Sequence, residues 1–205
     1  MRASTRRMAV RGPVGRIECA IDVPTSGVRA VALIAHPHPL YGGTLDNKVV
    51  QTLARTFVDL GYAAVRPNFR GVGASEGRHD AGVGEIDDLA AVLAHAQAEF
   101  STAPAVLAGF SFGAAMQVLF AQRLPAAEVA RLVLVGVAVT RLEVPAVPRG
   151  TLVIHGERDE TVPLSAVLDW ARPQDLPIVV VPGADHFFHR RLQSLRDIVR
   201  GAWGT

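Results

Sequence analysis

The chain has 205 residues, with 21 lysines and arginines against 19 aspartates and glutamates, for a net charge of +2. Hydrophobic residues make up 49% and charged residues 20%, the balance of a globular domain rather than a disordered segment. The near-even charge, with arginines scattered apart from Arg6-Arg7 and Arg190-Arg191, leaves no basic patch for a nucleic-acid partner, and no apolar run approaches the roughly 18 residues of a membrane span.

Cys19 is the single cysteine, so no internal disulfide can form and a reducing compartment is natural. The basic start, Met1 to Arg7, is not followed by an apolar segment, because Arg11, Gly12, Pro13 and Arg16 interrupt it. A signal peptide is therefore not expected, and a cytoplasmic location is. One α/β domain over 1–205 is expected, with residues 1–13 as a loose N-terminal arm.

In chain order, Ile17, Cys19, Ile21 and Val23 alternate as in a half-buried edge strand closed by Pro24. Val28 to Ala35 reads as a buried parallel strand. It runs into His36-Pro37-His38-Pro39-Leu40-Tyr41-Gly42-Gly43, where two prolines and two glycines require a loop. Val49, Val50, Leu53, Phe57 and Leu60 then share one helical face, with Gly61 placed as the cap. Tyr62 to Arg66 is a strand, followed by the glycine-rich loop Pro67 to Gly77. No helix opens directly from that loop, which argues against phosphate binding. A helix starting near Glu85, Asp87 and Asp88 precedes Pro104.

The run Val106-Leu107-Ala108-Gly109-Phe110-Ser111-Phe112-Gly113 joins an apolar strand, a G-x-S-x-G turn and a helix-compatible stretch. That context is the one a nucleophile elbow requires. Further strands are expected at Arg131–Val139, Thr151–His155 and Pro177–Val181, then a terminal helix with Leu192, Leu195, Ile198, Val199 and Trp203 on one side. Strands alternating with helices predict a mostly parallel sheet covered on both faces, with its site on loops beyond the strands' C-terminal ends. The short, proline-containing interval Thr140–Gly150 leaves no room for a cap domain.

A serine hydroxyl needs a base within hydrogen-bond reach, and the base needs an orienting acid. His186, in the loop after the last strand, is the expected base, with His189 as the backup. Asp159, four residues beyond its strand, is the expected acid, with Glu157, Glu160 and Glu143 as competitors. His36 and His38 come from the wrong end of the chain order, His79 and His95 are expected away from the site, and His155 is expected to be buried. The oxyanion donors are expected to be the Phe112 N–H and one from the loop after Val28–Ala35. Pro37 and Pro39 have no N–H, which leaves His38, Leu40 or Tyr41. Tyr41, Phe110, Phe187 and Phe188 are expected to wall the substrate site. The histidine pair 36 and 38 has no further metal-ligand spacing, so no metal and no cofactor is expected.

Taken together, the His36–Gly43 loop, the Asn68-Phe69-Arg70-Gly71-Val72-Gly73-Ala74-Ser75-Glu76-Gly77 loop, the elbow, His155-Gly156-Glu157-Arg158-Asp159 and Gly183-Ala184-Asp185-His186 resemble the α/β-hydrolase superfamily. The resemblance is to its small bacterial branch with an H-P-H-P-x-x-G-G loop and covers about residues 14–203. It implies an α/β-hydrolase fold and a Ser111, Asp159, His186 triad. One departure is that the usual H-G after the third strand is His36-Pro37 here. The superfamily spans esterases, thioesterases, peptidases and haloperoxidases. The expected activity is that of a serine carboxylesterase acting on a small ester through an acyl-enzyme on Ser111. The alternatives are a thioesterase, an acyl-peptide hydrolase, or a non-catalytic binding module of the same fold.

Overall fold

A computed structural model describes residues 4–100 and 102–203. Its centre is an eight-stranded sheet, ordered β1-β2-β4-β3-β5-β6-β7-β8. The strands are β1 (Ser4–Gly12), β2 (Gly15–Val23), β3 (Ala30–Ala35), β4 (Tyr62–Pro67), β5 (Ala105–Phe110), β6 (Val129–Val135), β7 (Leu152–Gly156) and β8 (Ile178–Val181). β1, β2 and β4 pair antiparallel, and every pairing from β4 to β8 is parallel. Among the described residues there are five α-helices: α1 (Lys48–Asp59), α2 (Val83–Phe100), α3 (Phe112–Ala121), α4 (Leu164–Ala171) and α5 (Leu192–Gly201).

Alternation along the strands sends neighbouring side chains to opposite faces. Leu33, Leu107 and Leu134 pack toward α2, α3 and α4, while Ile34, Ala108 and Val135 pack toward α1 and α5. Burial on both faces explains the continuous apolar runs. Asn47 caps α1 by accepting the Val49 and Val50 N–H groups, and Gly61 follows in a left-handed conformation.

The segment expected to be a loose arm is instead β1, over the described residues Ser4–Gly12. It pairs with β2 from Ser4↔Val23 to Gly12↔Gly15. Met8 and Val10 turn to the core, and Arg7 pairs with Asp46 at 2.6 Å. The interspersed arginines hid the strand's alternation. Met1 to Ala3 lie outside the described residues.

The glycine-rich loop after β4 is a scaffold. Asn68 accepts the Leu45 N–H and donates to Glu18, both at 2.8 Å. Ser75 donates to the Asn68 carbonyl at 2.8 Å. Arg70 makes a two-pronged bond to Asp88 on α2, at 2.7 and 2.8 Å. Residues 136–151, between β6 and β7, contain no helix, so no cap covers the strand ends there.

Candidate active site

β5 ends at Phe110 and α3 begins at Phe112, leaving Ser111 alone at the turn with φ 56° and ψ −115°. A non-glycine residue is strained there, and the packing around it must hold it. A Cβ on Gly109 would lie 2.5 Å from the Gly113 carbonyl, and one on Gly113 would run into the backbone of Ala35 and His36. The two glycines thus let strand and helix close on each other. Val135 accepts the Ser111 N–H at 2.9 Å, and Gln117, buried on α3, donates to the carbonyls of Leu33 and Ala108 at 3.0 Å each. These bonds tie the turn to its neighbouring strands.

Ser111 Oγ lies 3.0 Å from His186 Nε2. His186 Nδ1 lies 2.6 Å from Asp159 Oδ2, while Asp159 Oδ1 accepts the N–H groups of Thr161 and Val162 at 2.9 and 2.8 Å. All three side chains are buried. The loop β7–α4 thus supplies the carboxylate and the loop β8–α5 the imidazole. His155 lies beneath them: its Nε2 is 2.9 Å from the Val162 carbonyl and 3.5 Å from Asp159. Burial lowers the His155 pKa, outweighing the opposing bond to Val162 and the charge of Asp159, so the ring stays neutral beside the carboxylate. Of the competing acids, Glu157 accepts the Gly183 N–H at 2.7 Å and braces that loop. His189 pairs with Asp185 on the surface.

Phe112 opens α3, so its N–H is one of the helix's unpaired donors. In the loop after β3, the Leu40 N–H donates to His38 Nδ1 at 3.2 Å and the Tyr41 N–H to the His38 carbonyl at 3.1 Å. Among the described residues, the His38 N–H has no such partner. His36 is fully buried between the loops. Its Nδ1 lies 2.6 Å from the Pro37 carbonyl, and its Nε2 accepts the Phe69 N–H at 3.0 Å. That geometry requires a neutral Nδ1–H ring, in keeping with burial pushing its pKa down to about 4.

A cavity of about 450 Å³ opens over Ser111, lined among others by His38, Tyr41, His79, Phe112, Arg141 and Phe187. Three of the residues expected as oxyanion donors or substrate walls do not line it. Leu40 points outward, 70% exposed, on the far side of its turn. Phe110 is fully buried under His186, ring centroids 4.8 Å apart, because β5 alternation turns it into the core. Phe188 is also fully buried, packed with the α1 and α5 face, and only Phe187 of that pair turns to the cavity.

His79 corrects the expectation in the other direction. It lines the cavity, its ring 4.9 Å from His38 and 5.6 Å from Phe112. Its Nδ1 lies 2.7 Å from the buried Glu85. The Arg70–Asp88 bond draws the long loop back over the strand ends. Only that loop's length hinted at such a return. Arg141, in the loop after β6, was likewise not foreseen.

Comparisons with known proteins give the family and the fold. A family model described as serine aminopeptidase, S33 (Hydrolase_4) matches residues 40–149. The chain belongs to this family of α/β serine hydrolases. The uncharacterized protein RP471 of Rickettsia prowazekii is 34% identical over 202 residues, 92% of this chain and 84% of that one. The crystal structure of XC6422 from Xanthomonas campestris, described as an α/β serine hydrolase without a lid, is similar at a TM-score of 0.90 and 37% identity. That match covers 98% of this chain and 94% of XC6422. An α/β serine hydrolase homologue from Coxiella burnetii matches at 0.85 and 40%, covering 96% of each chain.

Proposed function

We propose that this chain is a carboxylesterase that cleaves small esters through an acyl-enzyme on Ser111. The observation that carries the reading is the continuous path from Ser111 Oγ through His186 to Asp159, at 3.0 and 2.6 Å. In this mechanism His186 takes the hydroxyl proton as Oγ attacks the ester carbonyl. It then returns the proton to the departing alcohol, and Asp159 keeps Nδ1 protonated and the ring aligned. Water repeats the cycle on the acyl-enzyme. The N–H groups of Phe112 and His38 are the oxyanion donors in our reading, supported by their freedom from other partners. The single buried cysteine and the absence of a long apolar helix among the described residues fit a cytoplasmic enzyme.

An ester, rather than a peptide with a free amino terminus, fits the cavity better. No aspartate or glutamate lines it among the described residues, so nothing there would pair with an α-ammonium group. The test is labelling with a fluorophosphonate together with hydrolysis of 4-nitrophenyl acetate. The adduct should sit on the peptide carrying Ser111 and vanish in Ser111→Ala. An adduct elsewhere, or turnover by the alanine variant, would remove Ser111 as the nucleophile.

A further inference from the structure

Among the described residues, the cavity has one permanently charged side chain in its lining, and it is a cation. Arg141 stands on the loop after β6, at the edge of the cavity that holds Ser111. It is exposed and makes no ion pair among the described residues. Its neighbour is Tyr41, from the loop after β3. Nη1 donates to the Tyr41 hydroxyl at 3.4 Å, and the guanidinium carbon lies 5.4 Å from the ring centroid. The two loops thus meet at the cavity through a cation resting on an aromatic face. A guanidinium held this way keeps its charge and most of its five donors free.

The nearby carboxylates are already committed. Asp159 bonds Thr161, Val162 and His186. Glu85 is fully buried behind His79, where it accepts the Asp80 and Gly82 N–H groups at 2.9 Å each. His38 is held below its ordinary pKa, first by burial and then by His79 and Arg141, so at neutral pH it adds no competing charge beside Arg141.

We propose that Arg141, seated on Tyr41, is a specificity-determining residue that binds a carboxylate on the substrate. The favoured substrates are then esters carrying an anionic group on the acyl or the alcohol portion. This inference rests on the ester-hydrolase reading above. The same charge disfavours substrates with a cationic group at that position.

The test compares matched pairs of esters in the wild type, Arg141→Gln and Arg141→Lys. One pair is 4-acetoxybenzoate and its methyl ester, with the charge on the leaving group. The other is mono-4-nitrophenyl adipate and 4-nitrophenyl hexanoate, with the charge on the acyl end. The readout is kcat/KM for the anionic member divided by that for the neutral member. Comparing this ratio between proteins cancels the esters' intrinsic reactivities. In at least one pair the ratio should fall roughly tenfold in Arg141→Gln, the scale of a charge-assisted hydrogen bond, with the change mainly in KM. Arg141→Lys should recover part of it, and added salt should shrink it in the wild type. Turnover of both pairs with ratios unchanged in Arg141→Gln would overturn the role of Arg141 and leave the esterase reading intact. No turnover of any of the four by the folded wild type would overturn the esterase reading itself, and this inference with it.

Discussion

Two histidine–carboxylate pairs face the same cavity. In each, a buried carboxylate receives two backbone N–H groups of its own loop and also meets a histidine Nδ1. Asp159 does this for Thr161, Val162 and His186, and Glu85 for Asp80, Gly82 and His79. Glu85 is the third residue of α2, and its bond to Gly82 N–H is half of a capping box. The far nitrogen of His186 reaches a serine hydroxyl held on a strained turn, whereas beyond Glu85 the ring of His79 packs against the rings of His38 and Phe112 and meets no hydroxyl among the described residues. A histidine set beside a buried acid thus occurs twice at this cavity, and hydrogen-bond geometry is met only in the Asp159 pair. What separates the two pairs is the serine hydroxyl, and the strained turn that presents it.

The largest effects follow from that difference. Ser111→Ala and His186→Ala should each lower kcat by roughly 10⁶, whereas His79→Ala should stay within about tenfold of the wild type. Single-turnover kinetics on 4-nitrophenyl acetate would measure all three. A loss in His79→Ala comparable to that in His186→Ala would show that the second pair also takes part in proton transfer.

Exchanging the acids sharpens the contrast. Asp159→Asn removes control of the His186 tautomer and should cost about 10⁴ in kcat with the fold kept by circular dichroism. Glu85→Gln can still accept the Gly82 N–H, so its effect should fall on stability, by about 1 kcal/mol, with kcat changed little. Near-wild-type rates in Asp159→Asn would mean that another group orients His186.

The Ser111, His186 and Asp159 constellation was legible in the sequence because its signals are local. Gly109 and Gly113 announce the turn, and Asp159 and His186 each follow directly from an apolar strand. His79 and Arg141 could not be read in the same way. His79 reaches the cavity because Arg70 grips Asp88, 18 residues away, and Arg141 because Tyr41, 100 residues away, offers it a ring. Phe110 and Phe188 failed for a related reason. Aromatic residues beside a catalytic motif look like walls, but strand alternation and the turn after Asp185 send them into the core. β1 was obscured by arginines whose partners, Asp46 and Glu99, lie far along the chain.

His36 adds a third case, a buried histidine bonded to backbone instead of an acid. Its folded pKa is depressed from 6.5 to about 4, so the fold favours the neutral ring. Its contribution is therefore full above pH 6.5 and is lost as pH falls from there toward 4, because the unfolded chain takes up the proton first. The loss should be roughly 3 kcal/mol. His155, also depressed by burial, acts in the same direction, so the quantity to measure is the stability difference between wild type and His36→Gln. In urea unfolding, that difference should shrink by about 2–3 kcal/mol between pH 7.5 and pH 4.5. An equal acid loss in both proteins would show that His36 is not the sensitive group.

The smallest effects concern the space that both pairs border. No helix lies between β6 and β7, and Tyr41 and Phe187 on the cavity wall are themselves 73% and 46% exposed. Such walls remove little water from a long acyl chain. Each fully buried CH₂ would contribute about 0.8 kcal/mol, nearly fourfold in kcat/KM, and methylenes left in water contribute almost nothing. Uncharged 4-nitrophenyl esters should thus gain a few-fold per carbon from acetate to about butyrate and then level off or fall. With no lid to open, the rate should pass through the micelle point of the long esters without a jump. Steady-state rates from two to sixteen carbons, below and above that point, would decide. A maximum at long chains would mean that the wall at Tyr41 and Phe187 folds over the substrate, and that the two histidine pairs then work in a closed space rather than an open one.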